Sequence, residues 1–196
     1  MKRFLLMVLI AGGLLALAFF TTYWLNTQPI GIVDSNMSIN TLQSLPDKKR
    51  EIVNFIEVNG ASLAPTYDSV VCTEFVIKVI NQFNKLTPQE RNLIRIITQD
   101  DLMSLIETDS PIIRGVQTAL LFNRKGKVID DFSKVKPGDF VQFWNSYNGS
   151  VFGHCGIVHS MEANKSLTVF SSHPLTHGYG RQTFLWPDKV FFVRLN

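Results

Sequence analysis

The stretch "VFGHCGIVHS", residues 151–160, sets His154 and Cys155 side by side between glycines, at the head of an apolar run that reads as a strand. The chain has two cysteines and four histidines, so few residues can do nucleophilic chemistry. Alternation along a strand sends neighbouring side chains to opposite faces. His154 and Cys155 are therefore not expected to act together, and Cys155 reads as core. The other cysteine, Cys72, falls in the first turn of a helical pattern. There the helix dipole and free backbone N–H groups favour a thiolate, the reactive form. The same N–H groups can hold an oxyanion. A thiolate needs a base or an ion-pair partner, usually a histidine, and His154 opens its strand 82 residues after Cys72. The chemistry expected is thiolate attack on a carbonyl, with a covalent acyl intermediate. The plainer alternative for Cys72 is a small buried hydrophobe. No C-x-x-C spacing appears, so no metal site is expected, and the reaction needs no cofactor.

Several elements must position these groups. Asp68 or Ser69 reads as an N-cap, and the spacing of Val71, Phe75, Val79 and Phe83, widened by Val76 and Ile80, predicts a helix over about 70–84. Before it, Asp47 opens a helical pattern with Ile52, Val53, Phe55 and Ile56 apolar, and "NGASLAPTYDS", 59–69, reads as a loop. The cluster Lys48, Lys49 and Arg50 reads as a solvated helix end. "TPQE", 87–90, predicts a helix to about 98 with Thr87 as cap, Pro88 at the first position and Glu90 closing a capping box. "SP" at 110–111 starts another, to about 122. The remainder is short, β-rich and turn-separated: "KGKVIDD", "GDFVQFWN", "GHCGIVHSME", "SLTVFSS" and "KVFFVRL". Helices first and strands second predict an α+β domain with N-terminal helices packed on a C-terminal antiparallel sheet. In "DFVQFWN", Phe140, Gln142 and Trp144 share one strand face, and Val141 and Phe143 the other. Both faces are half apolar, which favours core packing over a sugar-binding stripe.

"SVVCTEFVIKVI", "VKPGDFVQFW" and "GHCGIV" together resemble NlpC-type and CHAP-type cysteine peptidases and amidases of the papain-like superfamily. The resemblance spans about 68–173. It implies a papain-like fold, with Cys72 as nucleophile and His154 as base. The segment Val71-Cys72-Thr73-Glu74 departs from the D-C-S-G form of NlpC proteins. A third polar residue that orients the imidazole is expected in "SLTVFSSHP", with His173 preferred and Ser171 or Ser172 as alternatives. His159 faces the other way along its strand, and His177 in "THGYG" reads as loop. Tyr67, five residues before Cys72, is a candidate to lend its hydroxyl to the oxyanion hole; a tyrosine packing in a loop is the plainer alternative.

Residues 4–25, "FLLMVLIAGGLLALAFFTTYWL", carry no charge, and about 20 such residues cross a bilayer as a helix. Lys2 and Arg3 before them predict export of the chain beyond residue 25. Ala16-Leu17-Ala18 offers a signal-peptidase alternative. The expected organisation is therefore residues 1–25 as membrane anchor or signal peptide, 26–45 as linker, and 46–196 as the hydrolase domain. Without Lys2 and Arg3 the basic count is 19 − 2 = 17 against 16 acidic residues, so nothing argues for a nucleic-acid partner. With the resemblance, export implies a peptidoglycan stem or cross-bridge peptide as substrate, a membrane contact through the N-terminal segment, a place in the bacterial cell envelope, and a monomer.

Overall fold

A computed structural model of the chain describes residues 29–33, 36–148 and 150–196. The expected anchor or signal segment, residues 1–25, lies outside the described residues. Among these, no helix is long and apolar enough to cross a membrane. The architecture is α+β, as the order of patterns predicts. Six helices are described: α1 Ile39–Gln43, α2 Asp47–Leu63, α3 Cys72–Phe83, α4 Pro88–Arg95, α5 Leu102–Glu107 and α6 Gly115–Phe122. The strands are β1 Gly31–Ile32, β2 Gly126–Ile129, β3 Phe140–Tyr147, β4 Ser150–Glu162, β5 Ser166–His173, β6 Gly178–Leu185 and β7 Lys189–Leu195. They form one antiparallel sheet in the order β1-β6-β5-β4-β3-β7-β2.

The sheet buries both faces. On one, α3 sinks Phe75, Val76, Val79 and Ile80 against Phe140, Ile157, Phe170 and Val193. On the other, Val141, Phe143, Val169, Phe184 and Phe192 make a second cluster closed by Phe132 and Trp186. The alternation read in "DFVQFWN" holds, and Trp144 joins Ile106 and Ile113 in a third cluster. The capping box forms as expected: Thr87 Oγ1 accepts from the Glu90 N–H at 3.2 Å, and Glu90 Oε2 accepts from the Thr87 N–H at 2.6 Å. That helix stops at Arg95 rather than near 98, because Ile96 turns left-handed at φ 53°.

Other expectations need correction. Helix α2 runs on to Leu63, through residues expected as loop. Gly60 does not make a turn; it admits the Tyr179 ring, which a Cβ there would approach to 2.4 Å. Within the stretch expected as linker, β1 pairs with β6 and Met37 is buried. Glu57 Oε1 accepts the Met37 N–H at 2.8 Å, and Arg181 reaches the Val33 carbonyl. Lys49 is not solvated but enclosed, with Nζ 2.8 Å from Asp139 Oδ1.

That Asp139 explains the "KPGD" turn. It is fully buried and accepts from the Lys136 N–H at 2.8 Å and from Arg194 Nε and Nη2, both at 2.9 Å. Its carbonyl accepts the Val158 N–H at 2.7 Å. One residue thus ties α2, β7 and β4 to the start of β3. Gly138 before it has φ +86°, which glycine adopts without penalty.

Candidate active site

Helix α3 begins at Cys72 itself. The N-cap is Val71, extended and without a capping side chain, not Asp68 or Ser69. Ser69 is engaged by Thr66 instead: their hydroxyls lie 2.8 Å apart. The first-turn N–H groups of α3 are left without a side-chain cap, which suits an anion. The preceding loop is pinned to the sheet, with Tyr67 N–H donating to the His177 carbonyl at 3.1 Å and Tyr179 N–H to the Ala64 carbonyl at 2.9 Å. Glu74 in the same first turn is held by Arg95, Nε to Oε1 at 2.6 Å and Nη2 to Oε2 at 3.1 Å.

Cys72 opens onto a cleft of about 270 Å³ that Gln142, Trp144, Gly153 and His154 also line. A Cβ at Gly153 would fall 2.4 Å from the Trp144 ring, so only glycine leaves that wall its shape. Five influences act on the Cys72 thiol. A hydrogen bond from the Cys155 side chain is the largest, burial opposes it, and the charge and hydrogen bond of His154 add to it. The backbone of Cys155 contributes a further bond. The net effect holds Cys72 well below the ordinary thiol range. Cys155 moves the other way: its bond to Cys72 and its complete burial keep its proton on.

Cys155 is core, as expected, but it does not stand away from the cleft. Alternation itself holds, since Cys155 joins the helix-side core while His154 packs among Phe143, Phe152 and Phe184. Cys72 packs against the cluster that holds Cys155 and lines one cleft with His154, so both neighbours act on its thiol.

His154 is 3% exposed, and its Nε2 is enclosed with no hydrogen-bond partner among the described residues. His173, at the end of β5, lies with its ring centre 5.4 Å from that of His154, edge to face. Its Nδ1 accepts the Leu175 N–H at 3.1 Å, which leaves the proton of the neutral ring on Nε2. Burial first, and the His154 charge second, push its pKa down to about 3, so it stays neutral. The two serine alternatives are occupied by backbone: Ser171 donates to the Cys155 carbonyl at 2.7 Å, and Ser172 to the Val70 carbonyl. Tyr67 stands 6.5 Å from the His173 ring, and burial first, then the neighbouring cysteines, raise its pKa. The structure thus brings Cys72, His154, His173 and Tyr67 into one neighbourhood. His159 stays apart, on Phe170 with Ser160, and His177 makes a left-handed turn whose carbonyl serves Tyr67.

Sequence reasoning missed Gln142, whose Nε2 donates to the His154 carbonyl at 3.1 Å. Its signal was a polar residue between Phe140 and Trp144 on an apolar face. No group of three or more His, Cys, Asp or Glu residues that could hold a metal ion occurs among the described residues.

A scan against protein-family models, a search of curated proteins and a search of solved structures each found no match to this chain. Fold and site together define an α+β domain that sets a helix-terminal cysteine beside a histidine in one cleft.

Proposed function

We propose that the protein is a papain-like cysteine hydrolase of the cell envelope, exported or membrane-tethered, that cleaves an amide bond in peptidoglycan peptides. The observation that carries this reading is Cys72 at the uncapped start of α3, opening onto the cleft that His154 also lines. In this mechanism the Cys72 sulfur attacks the substrate carbonyl while the α3 N–H groups, helped by the Tyr67 hydroxyl, receive the oxyanion. His154 delivers a proton to the leaving amine, then activates the water that cleaves the thioester. His173, neutral and beside His154, orients the imidazole. The wall-peptide assignment rests on the resemblance of "VKPGDFVQFW" and "GHCGIV" to NlpC-type and CHAP-type enzymes and on the apolar segment 4–25. The protein acts as a monomer and without a cofactor.

A second reading, hydrolysis or acyl transfer on a protein or lipid by the same cysteine, is favoured by the apolar cleft wall of Ile94, Ile96, Leu102 and Val151. Mass analysis of muropeptides after incubation with the protein separates the two. New stem or cross-bridge termini that vanish in Cys72→Ala support the first. Intact muropeptides alongside a Cys72-dependent acyl adduct from lipid or protein donors support the second and overturn the first.

A further inference from the structure

The chain's only two cysteines share one packed cluster at this site. Cys155 lies opposite Gln142 in the β3–β4 register, on the sheet face that α3 covers. Gln142 lines the same cleft as Cys72, and Cys72 packs against the cluster that holds Cys155. Both thiols are free. Their surroundings differ in one respect that matters for oxidation. Cys72 is half-buried and opens to the cleft, whereas Cys155 is completely enclosed.

We propose that Cys72 and Cys155 form an oxidation site, closing to a reversible disulfide when the protein meets a peroxide. In the first step the Cys72 sulfur attacks one peroxide oxygen. An S–O bond forms, the O–O bond breaks, and hydroxide leaves; the sulfur loses two electrons and the peroxide gains them. In the second step the Cys155 thiol gives its proton to the departing oxygen and its sulfur displaces it. The S–S bond forms, the S–O bond breaks, and water leaves. The net reaction consumes one hydrogen peroxide and two thiols and yields one disulfide and two waters. Cys72 reacts first because it is the thiol that opens to the cleft, and its surroundings hold its pKa below that of Cys155. Cys155 resolves because it sits in the packed cluster against which Cys72 lies and, fully enclosed, keeps its proton for the leaving oxygen. An enclosed resolving thiol halts oxidation at the reversible stage, before sulfinic acid. The inference needs only a reactive Cys72 and not wall hydrolysis.

The test treats the full chain with dilute hydrogen peroxide, unfolds it, alkylates free thiols and maps the peptides by mass. The expected result is loss of both alkylation sites, an intact mass lower by two hydrogens, and one cross-linked peptide pair joining Cys72 to Cys155. Dithiothreitol should restore both sites. In Cys155→Ser, Cys72 should stop at a sulfenic acid captured by dimedone. Sulfinic or sulfonic acid at wild-type Cys72 with Cys155 still alkylated overturns the proposal, as does no oxidation of either thiol. The wild-type map decides the matter even if Cys155→Ser fails to fold. A cross-link without muropeptide cleavage leaves the inference standing and removes the hydrolase reading; cleavage without a cross-link does the reverse.

Discussion

Asp139→Asn removes one charge and almost no volume from the point where α2, β3 and β7 meet. Lys49 is 4% exposed and lies 2.8 Å from the Asp139 carboxylate, so the substitution leaves an enclosed ammonium with no counter-charge. Arg194 is more than a third exposed at its side chain and can turn to water, so its loss counts little. Breaking a buried pair from one side costs about 3–5 kcal/mol. With a urea m-value of about 2 kcal/mol/M, the midpoint should fall by about 1.5–2.5 M. Lys49→Met alone should cost less, because Arg194 and the Lys136 N–H still serve Asp139. The double variant should recover most of the loss, since neither charge is then stranded. Equilibrium urea unfolding of the four proteins, with m unchanged, measures this. Costs that simply add, or an Asp139→Asn shift under about 0.5 M, would refute the view that this pair staples the sheet to α2.

The site and its supports lead to four further expected outcomes. Cys72→Ala and His154→Ala should each abolish nearly all muropeptide cleavage, and the double variant should be little worse than either, because both serve one step; near-wild-type turnover by Cys72→Ala would end the mechanism. Iodoacetamide should label Cys72 rapidly well below pH 8.5, near which a free thiol ionises, and Cys155→Ala or His154→Ala should move that profile to higher pH. Burial alone would raise the Glu90 carboxyl, but Lys125, the Thr87 N–H and Asn123 bring its pKa down to about 2, below its unfolded value. Its contribution is therefore present above about pH 4.5 and lost as pH falls toward 2, so Glu90→Gln should flatten the drop in Tm across that window. Gly153→Ala drives a methyl into the Trp144 ring; it should cost about 1–3 kcal/mol by denaturation and lower cleavage by distorting the cleft wall.

The parts of the fold legible in the sequence are those governed by local rules. The Thr87–Glu90 box needs only four consecutive residues, and the α3 stripe and the β3 alternation need only periodicity. The parts that were not legible depend on partners distant in the chain. Lys49 looks like any helix-end lysine until Asp139, ninety residues later, is folded against it. Gly60 reads as a turn unless the Tyr179 ring is known to need its space. The same division runs through the site. Helix-start chemistry singles out Cys72, and the glycine-flanked strand singles out His154. That Cys72 packs against the cluster holding Cys155 depends on how α3 lies over β4, which alternation along one strand does not encode.

The short β1 strand sets the length of a leash. Ile30 N–H already donates to the Thr183 carbonyl at 2.6 Å, so the chain is fastened to β6 from there on. Between Leu25 and that first bond only residues 26–29 remain, spanning at most about 14 Å when fully drawn out. A free tether of residues 26–45 would have allowed about 70 Å. With the apolar segment embedded in a bilayer as proposed, the domain would patrol a thin layer at the membrane face with its β1 edge turned inward. Such an enzyme would meet only the newest or innermost material, and wall farther out would lie beyond its radius.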